Sequence, residues 1–241
     1  SCFGGASPTG QPTFPTKLVA AWLPGIDANP FPQGTGVRVE PGARVVLQMH
    51  YSIVNGGAQP DRSAVAFETA DSVTHDAGYL PWLDIEWPSD PESMRIPAGD
   101  AEVVHEYVGD PTQSPLIDEF VPGLDASEGL LLYSMLPHMH KLGKSFSVEL
   151  ERSDGTVEPL LEIERWDFDW QGEFAFEEPV TVAPGDRIRM RCVFDNSAAH
   201  QPLIDGERRE PADVTWGEGT YDEMCTASMF VRGLAERDRA V

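Results

Sequence analysis

Two histidines one residue apart, His138 and His140 in the stretch PHMHKLG, carry the clearest chemical signal in this chain, which has six histidines in 241 residues. The stretch YSMLPHMHKLGKSFSVEL reads as extended, with the histidines at the head of a strand. In a strand, residues i and i+2 point to the same face. The two imidazoles then lie side by side as a two-ligand clamp for a metal ion, Met139 turns into the protein, and Gly143 allows a tight backbone just beyond. A second stretch, WGEGTYDEMCTASMF, places Met224 beside Cys225. A thioether is a soft, neutral donor that suits copper, Cu(I) above all, and is rare on zinc. Two imidazoles and one thioether would make an open copper site able to change redox state. The residues alone leave two blander readings open: a pair of hydrogen-bonded surface histidines, and Met224 as ordinary core packing, the usual fate of a methionine.

The elements that must position these groups read as strands. ARVVLQMHYSI (43–53), SAVAFETA (63–70), SFSVELER (145–152), PVTVAPGDRIRMRCVF (179–194) and CTASMFVRG (225–233) alternate and are rich in β-branched residues. NGG at Asn55, SDG at Ser153 and APGD at Ala183 mark turns. The tail GLAERDRAV is a helix candidate too short to stand alone. The expected fold class is all-β, an antiparallel jelly-roll β-sandwich. DSVTHDAGYLPW breaks the alternation near Asp71, which divides the chain into 1–71, too short for a whole sandwich and so part of one, and 72–241, a complete domain. His50 shares a strand face with Gln48 and alone reads as a half-buried strand histidine. His75 and His105 read as loop or edge residues, and His200 as part of a turn-rich loop.

Lys and Arg number 17 against 40 Asp and Glu, a net charge of −23. Such a charge repels nucleic acid and anionic membrane, and no apolar run approaches a membrane span. A chain opening SCFGGASPTG, with no basic start and no apolar middle, looks processed or excised from a longer one. Cys2, Cys192 and Cys225 lack the paired spacing of a zinc site and allow one disulfide with one cysteine left over.

Taken together, VVLQMHYS, PHMHKLG, RCVFDNS and TYDEMC, in this order and spacing, resemble the copper type II, ascorbate-dependent monooxygenases, which include the peptidylglycine α-hydroxylating and dopamine β-monooxygenases. RWDFDWQ and FDNSA look like bacterial members. The resemblance covers nearly the whole chain and implies two jelly-roll domains, each with one copper. By motif match, His138, His140 and Met224 are the ligands of the oxygen-activating copper, with no further catalytic side chains. Cys192 and Cys225 match a family disulfide that would fix Met224. His50 matches one of three histidine ligands of the electron-transfer copper, and Gln48 a residue near the gap between the coppers.

The departures from the family pattern carry expectations too. The other two ligands of the electron-transfer copper are an adjacent His-His pair upstream, and this chain has none. The first domain is therefore expected to lack its front, leaving one copper well held and the other poorly held. Leu136 stands where peptide-amidating members have an arginine, and Thr226 and Ser228 where they have asparagine and tyrosine, so amidation is not expected. What the resemblance implies is C–H hydroxylation with dioxygen and a reductant such as ascorbate, on a substrate the sequence does not name. A bonded Cys192–Cys225 pair would place the protein in an oxidising location: secreted, periplasmic or at the cell surface. Two alternatives remain, a copper-binding module for storage, delivery or sensing, and a structural β-sandwich with incidental histidines.

Overall fold

The structure, a computed structural model, describes residues 17–22, 30–49, 60–204 and 206–234. Its strands are β1 (Thr35–Gly36), β2 (His75–Asp76), β3 (Gly78–Trp82), β4 (Val103–Gly109), β5 (Leu130–His138), β6 (Gly143–Glu151), β7 (Val157–Ile163), β8 (Phe174–Val182), β9 (Arg187–Phe194), β10 (Leu203–Ile204), β11 (Glu207–Arg208) and β12 (Thr226–Gly233). Two four-stranded antiparallel sheets, ordered β3-β12-β5-β8 and β4-β9-β6-β7, face each other as a sandwich. The all-β expectation holds.

Period-two patterning builds the core. Phe146, Val148 and Leu150 on β6 and Ile188, Met190, Cys192 and Phe194 on β9 are all buried. Between them Ser147, Glu149, Arg189 and Arg191 are only half-buried, and Arg189 bridges Glu151 and Glu106 across neighbouring strands. At one end of this sheet the Asp186 carboxylate accepts from the Ala183 and Ser153 amides, each at 3.0 Å, and from Arg152 at 3.0 Å. It thereby ties the β6–β7 and β8–β9 turns together. The disulfide Cys192–Cys225, with Cα atoms 5.9 Å apart, joins β9 to the residue just before β12 and so links the two sheets.

One irregularity decides which way the histidines face. Along β5, Leu130 and Leu132 join the main core cluster, and beyond them the residues that join it are Met135 and Met139, while Leu136 is buried outside it. The register on both neighbours shifts between Leu132 and Ser134, leaving Tyr133 as an extra residue. A bulge of one residue reverses every later side chain between faces. Without it His138 would share the inward phase of Leu132.

Two expected strands are corrected. Residues 43–49 and 63–70 form no strand, and Val45, Leu47 and Val65 are exposed. Alternation alone does not make a strand, since its N–H and C=O groups need a ladder partner, and among the described residues none pairs with these segments. His50–Ile53, the NGG turn and the tail from 235 lie outside the described residues. Closer in, β1 pairs with β2 through Thr35 and His75, and Phe31 stacks on Phe230 at 4.9 Å. This packs residues 31–37 against the outer side of sheet β3-β12-β5-β8.

Candidate metal centre

Strand alternation, expected to place both rings, stops at His138, the last residue of β5; His140 belongs to the turn into β6. Tertiary contacts bring the rings together instead. Gln171, in the β7–β8 connection, places Oε1 2.8 Å from His138 Nδ1. The Asp222 carbonyl lies 2.9 Å from His140 Nδ1. The Glu223 carboxylate accepts from the His140 amide at 2.8 Å, the Leu142 amide at 2.6 Å, and the Met224 amide. One fully buried carboxyl group thus fastens the His140 turn to the backbone of Met224. Burial pushes that carboxyl up to about 8, with the three N–H donors acting against the rise.

These partners fix the tautomers. Gln171 Nε2 donates to the Phe168 carbonyl at 2.9 Å, so the oxygen of its amide faces His138. A ring nitrogen bonded to an amide or carbonyl oxygen must carry the proton. Both histidines therefore carry a proton on Nδ1, and the Nε2 atoms face each other. The two Nε2 atoms stand 3.1 Å apart, with the rings edge to face. Two lone pairs at that distance repel unless they share an electron-poor centre, a proton or a metal cation. Nitrogen donors about 2.0 Å from one ion at a near-tetrahedral angle stand about 3.3 Å apart, so the pair fits a shared ion. Among the described residues no three His, Cys, Asp or Glu side chains form a group that could hold a metal.

The turn is clamped from one side by the β7–β8 connection. Trp166 Nε1 donates to the His140 carbonyl at 3.2 Å and its amide to the Lys144 carbonyl at 2.9 Å. Phe168 sits edge-on to His140, and Lys141 lies 4.3 Å over the Phe168 ring while pairing with Asp169 at 3.1 Å. Gly143 passes directly beneath Trp166.

Of the other residues singled out in the sequence, Met224 is 1 % exposed and counts among the buried core residues, next to the Cys192–Cys225 bridge. Leu136 is buried and registers with Ser228, as His138 does with Thr226. Gln48 lies in the exposed segment 43–49, and His50 lies outside the described residues. His105 belongs to the edge strand β4, bonds the Arg95 carbonyl at 3.1 Å, and has its pKa lowered by burial. Gln171, Trp166, Glu223 and the Asp222 carbonyl went unseen in the sequence reading. The only local hint was the aromatic density of RWDFDWQ.

Residues 118–231, which hold His138, His140, Trp166, Gln171, Glu223 and Met224, match the family model described as copper type II ascorbate-dependent monooxygenase, C-terminal domain. Over these residues the chain is similar to that family. It is 24% identical over 211 residues to MOXD1 homolog 1 of Drosophila melanogaster, covering 86% of this chain and 27% of the relative. With DBH-like monooxygenase protein 1 it shares 25% identity over 222 residues in Gallus gallus and 24% over 223 in Mus musculus, each covering 88% of this chain and 32% of the relative. The chain thus spans about a quarter to a third of the length of the curated relatives it matches. No helix among the described residues is long and apolar enough to cross a membrane.

Proposed function

We propose that this chain carries the oxygen-activating copper site of a monooxygenase that hydroxylates a substrate C–H bond with dioxygen and a reductant such as ascorbate, and that His138, His140 and Met224 hold the ion. The observation that carries the reading is the facing pair of Nε2 atoms, 3.1 Å apart, with each ring's Nδ1 hydrogen-bonded to an oxygen acceptor. Bound there, copper would supply one-electron redox chemistry and the activation of dioxygen. The chain's own residues supply the rest. Gln171 and the Asp222 carbonyl hold the rings in the ligating tautomer. Glu223 ties the His140 turn to Met224. In β12 the odd positions Ala227, Met229 and Val231 are buried in the core, and Cys225 is bonded there too. Met224 is buried in the core beside the Cys192–Cys225 bridge, and a thioether favours Cu(I).

In the same reading, residues 72–241 are the jelly-roll domain of this copper, and residues 1–71 belong to the preceding domain, where His50 takes part in an electron-transfer copper site and Gln48 lies near the gap between the ions. Leu136 presents no charge to a peptide carboxylate, which argues against amidation. The Cys192–Cys225 bond supports an oxidising location, secreted, periplasmic or at the cell surface.

The test is copper content and Cu(I) affinity of the wild type and of Met224→Ile, together with ascorbate-dependent oxygen consumption by the full-length protein. One tightly held copper, weakened by Met224→Ile with little change in melting temperature, is the expected result. Unchanged affinity in that variant would remove Met224 from the site. Copper binding without reductant-dependent turnover would leave a binding module.

A further inference from the structure

We infer that Gln171 is a positioning residue for the metal pair, setting how strongly His138 donates; this rests on the copper reading above. Its side chain is 3 % exposed and is held at both ends. Nε2 donates to the Phe168 carbonyl at 2.9 Å, and Oε1 accepts from His138 Nδ1 at 2.8 Å. The first bond prevents the amide from flipping, so the second always presents an acceptor to the imidazole. An acceptor on Nδ1–H raises the basicity of the opposite nitrogen and fixes the ring plane. His140 Nδ1 donates the equivalent bond to a backbone carbonyl, an acceptor that side-chain substitution does not remove. Gln171 is thus the point at which a side chain tunes this pair. It also lines a surface cleft of about 180 Å³ with Trp166, Trp170 and Phe174. One segment, residues 166–171, thus touches both histidines and contributes Trp166, Trp170 and Gln171 to that cleft.

Two variants separate positioning from simple support of the loop. Gln171→Leu removes the acceptor; Gln171→Glu keeps an acceptor, and a stronger one. Both lose the bond to Phe168, so a loop-supporting role makes them alike. Positioning makes them opposite. Gln171→Leu should bind Cu(I) about 10–100-fold more weakly, while Gln171→Glu should keep wild-type affinity and shift the copper midpoint potential downward. The metal-free protein gives an independent readout in the ¹⁵N NMR of the imidazoles. His138 should carry its proton on Nδ1 in the wild type and in Gln171→Glu, and populate both tautomers in Gln171→Leu. Equal affinities for the two variants, or a wild-type proton on Nε2, would overturn the inference. Should Gln171→Leu fail to fold, an unchanged potential in Gln171→Glu would overturn it as well. A wild type that shows the Nδ1 tautomer and yet takes up no copper would defeat the functional reading and leave the Gln171–His138 contact established.

Discussion

Alanine at Gly143 would probe the clamp on the His140 turn without touching any proposed ligand. A Cβ there would stand 2.5 Å from Trp166 Cδ1 and 3.0 Å from Met139 Cε. Ordinary contact begins near 3.4 Å, so the indole or the turn must move by roughly 1 Å. Trp166 is buried and rests near Phe146, with ring centroids 6.3 Å apart, which leaves it little room to retreat. Overpacking of this kind costs about 1–3 kcal/mol. Losing the Trp166–His140 hydrogen bond adds about 1 kcal/mol. The sum, about 2–4 kcal/mol, lowers the melting temperature by about 4–16 °C in a protein of this size. Gly143 is absent from the glycines with positive φ, so backbone strain does not enter. Gly172, in the adjoining segment, is the control: its nearest neighbour would be Phe174 Cζ at 3.7 Å, an ordinary contact. Gly172→Ala should therefore stay within about 0.5 kcal/mol of wild type. Thermal denaturation of the two metal-free variants reads the difference, and copper titration shows whether the displaced indole also loosens the pair. If Gly143→Ala melts alongside Gly172→Ala, Trp166 does not clamp the turn and the account of how His140 is held is wrong.

Replacing both Cys192 and Cys225 with serine opens a bridge that spans 33 residues. Loop-closure entropy puts the loss at about 3–4 kcal/mol, readable as a shift in the urea midpoint, and no shift would mean the bridge is not formed in the native protein. Asp186 contributes to stability against acid. Burial works to raise its pKa, but the Ser153 and Ala183 amides and Arg152 outweigh it and hold the carboxyl below the usual range. A depressed carboxyl adds stability above its unfolded value of about 3.9, and loses it as pH falls through the folded value. Asp186→Asn should cost about 1.5–3 kcal/mol near neutrality, with the gap to wild type closing below about pH 4. A gap that persists unchanged at pH 3 would show that the Asp186 charge is not what matters.

Much of the sandwich was legible in the chain. The alternation in 145–152, 187–194 and 226–233 became β6, β9 and β12 because each segment found a neighbour to complete its ladder and a facing sheet to cover its apolar side. The same alternation in 43–49 and 63–70 produced no strand, since pattern is a local property and pairing is not. The HxH motif was legible as a pair, although the reason first given for it, shared strand phase, fails at His140. The cysteine pairing came from resemblance to a family, and the structure bears it out.

By itself, the sequence determined the residue types: two imidazoles at close spacing, a methionine beside a cysteine, and enough alternating apolar residues for two covered sheets. Tertiary structure alone decided their orientation. The extra residue at Tyr133 turned His138 away from the core, and Gln171 and Asp222, 33 and 82 residues from the rings they hold, placed the two protons. Phase and tautomer depend on partners distant in the chain. A linear reading can count candidate donors, but only the assembled sandwich aims their lone pairs at one another.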